Sequence, residues 1–263
     1  MAAELLVTRQ GHALLLTLRE PATRNALSPT ACAAGVEALD KAAQDPAIRC
    51  IVLRGDGPHF CSGGDLRRLL RTRALGVDVG ARQQADHIDG FHAFVLALAD
   101  CPKPIIAAVE GHAAGGGFSL ALACDLIVAA RDARFTLSYA KVGLSPDGGA
   151  LWQLARRLPP GRVAQAAWLA QPLDTAYLHN VGVVAELVEP GQALNAALAL
   201  AAALAAQAPH AVTSVKGLLR HAGERTLREH LDAERAQFVQ NLFHAHGGEG
   251  LDAFVAKRPA RFD

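Results

Sequence analysis

Apolar residues in the first two thirds of the chain fall into short unbroken runs separated by helical stripes. In the last third only stripes remain. Leu5–Arg9 and Ala13–Leu18 flank Gln10-Gly11-His12, which predicts a β-hairpin, and Arg19-Glu20-Pro21 breaks the second run. Ile48–Leu53 reads as a buried strand, and the β-branched run Ile105–Val109 and the segment Asp125–Ala130 read as two more. Ser28-Pro29 pairs a capping side chain with a first-turn proline and predicts a helix to about Gln44, where Asp45-Pro46 ends it. Asp86–Ala99 carries Phe91, Val95 and Leu98 at helical spacing and stops at Cys101-Pro102-Lys103-Pro104.

Arg67–Gln84 shows no clear period and is expected to be a mobile segment over the site. Phe135–Val142 reads as short and extended, and Gly143–Gly149 as a turn into another helix. Arg162–Leu169 is helical, Gln171-Pro172 turns, Asp174–Asn180 is a capped helix ending near Gly182, and Val183–Val188 is a strand. Strands alternating with helices predict an α/β fold. From Gly191 the pattern changes: Ala193–Gln207, Pro209–His221, Leu227–His244 and Glu249–Ala256 are all helical. This divides the chain into an α/β core over residues 1–192 and a helical assembly or lid module over 193–263.

Composition narrows the function. With 263 residues, 51% of them hydrophobic, the chain can bury a substantial core as one large domain with at most a small appendage. A net charge of +1, without a long basic run, argues against a nucleic-acid partner. Cys32, Cys50, Cys61, Cys101 and Cys124 lie far apart with no Cys-x-x-Cys pair, which fits reduced, mostly buried thiols. No apolar run reaches membrane-spanning length and no signal pattern opens the chain, so a cytoplasmic protein without a membrane partner is expected. His244-Ala245-His246 is the only close histidine pair and lies in a polar tail, so no metal site is read there.

Chemistry concentrates in two glycine-rich turns, each following a strand and opening a helix. One is Gly55–Leu66, containing Ser62-Gly63-Gly64-Asp65; the other is Gly111–Asp125, containing Gly115-Gly116-Gly117. On neighbouring strands, two such turns can bring two backbone N–H groups around one oxygen and so build an oxyanion hole. Asp65 is placed to cap the following helix, and Asp147 stands just ahead of another. The glycines lack the Gly-Lys-Ser/Thr ending of a phosphate loop, no acidic residue follows at dinucleotide spacing, and there is no Gly-x-Ser-x-Gly elbow.

The stretches Phe60-Cys61-Ser62-Gly63-Gly64-Asp65-Leu66, Lys103–Gly111 and Ala114-Gly115-Gly116-Gly117 resemble the enoyl-CoA hydratase/isomerase (crotonase) superfamily. Arg19-Glu20-Pro21 with Arg24-Asn25-Ala26-Leu27, and Ala256-Lys257-Arg258-Pro259, match its flanking motifs, so the likeness spans essentially the whole chain. The resemblance implies a spiral of ββα turns, a C-terminal helical trimerisation region, and a homotrimer or a hexamer of two trimers. It implies an acyl-CoA thioester as substrate and no separate cofactor. Carried over by position, Ser62 and Gly116 supply the oxyanion N–H groups. Arg24, Ala26, Leu27, Gly64, Asp65, Leu66 and Gly115 lie along CoA, with Phe254 and Lys257 reaching it from the C-terminus.

The sequence departs from the hydratases at their two glutamates, whose positions are held here by Ser119 and Tyr139. The segment Ser138–Gly149 is similar to that of the phenylacetate-pathway ring-enoyl and epoxide isomerases, in which the aspartate matching Asp147 moves the proton. One carboxylate suffices to shift a double bond. A dehalogenase-like alternative uses Asp147 as nucleophile with His92 and Tyr139 beside it, as in the 4-chlorobenzoyl-CoA dehalogenases. A hydratase working without its glutamates and a non-enzymatic acyl-CoA-binding subunit are the other readings.

Overall fold

A computed structural model describes residues 4–262. The hairpin of β1 (Glu4–Gln10) and β2 (Ala13–Arg19) leads through a short 3-10 turn to α1 (Pro29–Gln44) and then β3 (Cys50–Gly55). The chain continues through α2 (Leu66–Ala74), α3 (Gly76–Asp100), β4 (Ile105–Val109), β5 (His112–Ala114), α4 (Gly116–Ala123), β6 (Leu126–Ala130) and β7 (Arg134–Thr136). After a 3-10 turn over Ser138–Val142 come α5 (Ala150–Ala155), α6 (Pro160–Trp168), β8 (Leu173–Asp174), α7 (Thr175–Asn180) and β9 (Glu186–Val188). Four helices finish it: α8 (Ala193–Ala205), α9 (Pro209–His221), α10 (Leu227–Leu242) and α11 (Ala245–Val255).

The main sheet runs β1-β2-β3-β4-β6-β9, parallel except for the β1–β2 hairpin, and β5-β7-β8 form a second, smaller sheet. Side chains alternate across the main sheet as strand geometry requires. Ile51, Leu53, Ile105 and Ala107 face a core built with α1, α3 and α4, whereas Cys50, Val52, Ile106 and Ala108 face α8. Both faces are covered, so these strands read as continuous apolar runs instead of alternating ones. Helix α8 seats on the sheet through Ala193, Ala197 and Ala201, a stripe of small residues four apart.

Four expectations need correction. Arg67–Gln84 is helical: the Asp65 carboxylate caps α2 by accepting from the Arg67 N–H at 2.9 Å, and Gly76, at φ +79°, separates α2 from α3. Its period was hidden because the only buried residue in the first two turns of α3 is Gly80, which packs on the Thr72 carbonyl with no side chain to register. Phe135–Val142 is extended only at its start and then coils into the 3-10 turn. Val183 and Val184 are not strand residues, because both N–H groups close α7 on the Leu178 carbonyl. The division at 192/193 separates the sheet from α8, which seals one face of it; the peripheral helices begin at Pro209. The five cysteines are all buried and free, as expected. No single described helix is long and apolar enough to cross a membrane.

Candidate active site

The two glycine turns meet edge to edge. Cys61 bridges Ala113 in parallel: its N–H donates to His112, and its carbonyl accepts from Ala114. Gly63 sits at φ +85°, and a Cβ there would stand 2.7 Å from the Gly116 nitrogen and 2.8 Å from the Ala114 carbonyl oxygen. Only glycine tolerates both that conformation and that proximity. The Arg24–Leu27 motif joins the same junction, since Leu27 N–H donates to Gly63 at 2.7 Å. Asn25, buried and at φ +58°, fixes the bend: its Oδ1 accepts from Glu20 N–H, and its Nδ2 donates to the Asp56 and His59 carbonyls.

This geometry overturns one assignment. The Ser62 N–H donates to the Arg24 carbonyl at 2.9 Å, and its hydroxyl donates to Thr23, so that N–H does not face an incoming oxygen. Neither the Gly64 nor the Gly116 N–H donates to a described residue, and both residues line the same cavity. Gly116 opens α4, where backbone N–H groups lie beyond the helical ladder. The offset of two residues was not legible because Ser62 and Gly64 share the motif and differ only in which side of the turn their N–H faces.

The cavity encloses about 340 Å³ between α1, α2, α3 and the segment from Ser138 to Asp147. Its walls are largely apolar, with Leu27, Leu69, Ile88, Phe91 and Leu144 among them, and Asp147 is the one carboxylate among the described residues that line it. Tyr139 donates its phenolic proton to Asp147 Oδ1 at 2.7 Å. Burial raises the Tyr139 pKa well above the ordinary tyrosine value, and the Asp147 charge and hydrogen bond add to this, while a hydrogen bond from Ser119 opposes it. Of the two positions at which glutamate is expected in a hydratase, Tyr139 thus meets Asp147 directly, whereas the Ser119 hydroxyl donates back to the Gly115 carbonyl oxygen at 3.5 Å. Gly148 lets the aspartate loop close down: a Cβ there would meet Phe91 at 2.5 Å and Ser119 at 2.7 Å.

The remaining candidates divide. Leu27, Leu66 and Gly115 line the cavity; Ala26 is buried beside it, and Asp65 serves as the α2 cap. Arg24 is exposed at the junction, with φ +56°. His92 is exposed and outside the cavity, and its Nε2 lies 2.5 Å from the Asp147 backbone oxygen, not from the carboxylate. It steadies the loop and does not face a reacting atom. Phe254 and Lys257 are exposed at the end of α11 and do not line this chain's own cavity. Sequence reasoning missed Arg68, Gln84 and His87, which line it. The spacing of Gln84, His87, Ile88 and Phe91 on one helical face could have shown the last two of these.

Away from the cavity, His210 joins His244 and His246, with ring nitrogens within 4.8 Å of one another. His244 Nδ1 accepts the His246 backbone N–H at 3.1 Å as the cap of α11, which places the proton of a neutral His244 on Nε2. That arrangement serves a helix cap and leaves this ring poorly disposed to bind a metal.

The family model described as enoyl-CoA hydratase/isomerase matches residues 8–263. The chain is 34% identical over 250 residues to a 1,2-epoxyphenylacetyl-CoA isomerase of Escherichia coli (strain K12), covering 95% of this chain and 94% of that protein. It is 32% identical over 261 residues to a 2,3-dehydroadipyl-CoA hydratase of the same organism, covering 99% and 98%. A solved structure of an enoyl-CoA hydratase from Polaromonas sp. JS666 superposes with a TM-score of 0.95 at 45% identity, covering 99% of this chain and all of that one.

Proposed function

Because the chain belongs to the enoyl-CoA hydratase/isomerase family, we propose that it shifts a carbon–carbon double bond in an acyl-CoA thioester by proton transfer through Asp147. One observation carries this reading: Asp147 is the single carboxylate among the described residues that line the cavity. The thioester oxygen sits between the Gly64 and Gly116 N–H groups. As the Asp147 carboxylate removes a proton from the carbon chain, charge moves onto that oxygen, where the two donors and the positive end of α4 hold it. The same carboxyl then returns the proton at another carbon, and no water is consumed. Tyr139 occupies Oδ1, which leaves Oδ2 for the travelling proton. CoA enters as part of the substrate, and the scheme calls for no resident cofactor.

Hydration is the second reading, favoured by the 45% identity to a structure described as a hydratase. It needs a second group to activate water, and Ser119 and Tyr139 stand where the hydratase glutamates would supply one. The dehalogenase-like reading loses its helper, since His92 lies outside the cavity.

The test is mass spectrometry of 2-enoyl-, 3-enoyl-, cyclic-enoyl- and 4-chlorobenzoyl-CoA incubated with the protein in heavy water. Deuterium uptake with a moved double bond and no added water is expected. Asp147→Asn should lower the rate by about a hundredfold to ten-thousandfold. Addition of water across the double bond, or full turnover by Asp147→Asn, would overturn the assignment.

A further inference from the structure

The cavity has a second pole that the proton-transfer scheme does not use. Arg68 Nε, Gln84 Oε1 and His87 Nδ1 are each shielded from solvent, and none has a hydrogen-bond partner among the described residues. All three side chains line the cavity that holds Asp147. Arg68 also pairs with no carboxylate among the described residues, although its charge is felt at Cys32 on the cavity's α1 wall. Folded proteins rarely leave one buried polar atom unsatisfied, because each costs the desolvation it has undergone. Three of them on side chains that border one cavity point to a ligand group as their partner.

Their position shows which part of a ligand that group belongs to. Gln84, His87 and Phe91 lie on one face of α3, and the Phe91 ring packs on Gly116, next to the site of the thioester oxygen. At the helical rise, His87 stands about 6 Å and Gln84 about 10 Å along the axis from Phe91. Arg68 approaches the same region from α2. The polar pole is thus set off from the oxyanion donors along the cavity, with the apolar side chains of Ile88 and Leu69 among its walls.

The donor set selects the chemistry. A guanidinium supplies N–H donors and positive charge, an imidazole supplies one N–H, and a glutamine can turn its amide nitrogen inward. Together they match the paired oxygens of a carboxylate. We propose that the substrate acyl group ends in a carboxylate, bound by Arg68, Gln84 and His87, so that the protein acts on monothioesters of dicarboxylic acids. This rests on the acyl-CoA reading above but not on which reaction Asp147 performs.

Unreactive saturated thioesters provide the test. Calorimetry on the 263-residue chain would compare glutaryl-, adipyl- and suberyl-CoA monothioesters with pentanoyl-, hexanoyl- and octanoyl-CoA. At the best-fitting length, the carboxylate-ended thioester should bind at least tenfold more tightly. Arg68→Met should remove that preference while leaving the affinity for the uncharged partner within about twofold. Arg68→Lys, which keeps the charge, should retain part of the preference, and it guards against a misfolded Met variant.

Tight binding of the uncharged thioesters with no preference at any length would overturn the proposal and leave the acyl-CoA reading intact. Equal weakening of both classes by Arg68→Met would also overturn it, because Arg68 would then be serving the CoA phosphates. If no thioester bound at all, the acyl-CoA reading itself would fall, and this inference with it.

Discussion

Tyr139 donates to Asp147 across 2.7 Å, joining the 3-10 turn after β7 to the loop before α5. Burial and the neighbouring carboxylate keep the proton on the phenol, so the bond holds one carboxylate oxygen in place throughout the working pH range. Replacing Tyr139 by Phe removes a hydrogen bond to a charged group, an interaction of about 1.5–3 kcal/mol. Steady-state kinetics should show kcat lower by about ten- to a hundredfold with KM little changed. An unaltered kcat would mean that Asp147 is positioned by its loop alone.

Gly148→Ala addresses the loop from the other side. The added methyl would overlap Phe91 and Ser119, and overpacking of this kind costs about 1–3 kcal/mol. Thermal unfolding should shift down by about 2–4 °C for each of these kcal/mol. Turnover should fall further than stability alone explains, because the residue next to Asp147 has to move.

Asn25 is a structural residue within a motif expected to lie on CoA. Asn25→Ala leaves the Glu20 N–H and the Asp56 and His59 carbonyls without their partner, at a cost of about 1–3 kcal/mol. It also puts alanine in the left-handed region, for about 1–2 kcal/mol more. Denaturant titration should show this loss as a lower midpoint. Substrate KM at a temperature where the variant is folded should rise, because Arg24 and Leu27 hang on the same bend.

The peripheral helices leave Leu219, Phe238, Phe243, Phe254 and Val255 each at least 68% exposed. Apolar surface of that extent marks a protein contact. Light scattering on the purified protein should give a trimer or a hexamer, and Phe238→Asp combined with Phe243→Asp should give smaller species. A wild-type monomer at micromolar concentration would contradict this.

Stability should decline in alkali. Burial raises Cys32 to about 11 and Cys50 and Cys61 to about 12, and it raises Cys101 and Cys124 as well. Above the ordinary thiol value of about 8.5, the unfolded chain releases these protons while the folded chain keeps them. The folded state then binds more protons, so stability is complete below about pH 8 and falls as pH rises toward the folded values. The slope approaches about 1.4 kcal/mol per pH unit for each thiol. Urea midpoints measured under reducing conditions from pH 7.5 to 10.5 should follow this decline, and Cys32→Ala should make it shallower.

Much of this protein is decided locally and is visible in its residues. Apolar runs of strand length, Ser28-Pro29 at the start of α1 and the glycines that open α4 each act within a few positions of themselves. The α/β class and the two glycine turns follow from them. What only the tertiary structure decided is what faces what. Ser62 and Gly64 are equally plausible donors until the Arg24 carbonyl, thirty-eight residues from Ser62 in sequence, takes one of the two N–H groups. Arg68, Gln84 and His87 look like a solvated helical surface until α2 folds back on α3 through Gly80 and turns them onto a shared cavity. Periodicity registers burial by apolar side chains. It carries no trace of a contact made through a glycine, or of a polar group buried to meet a ligand.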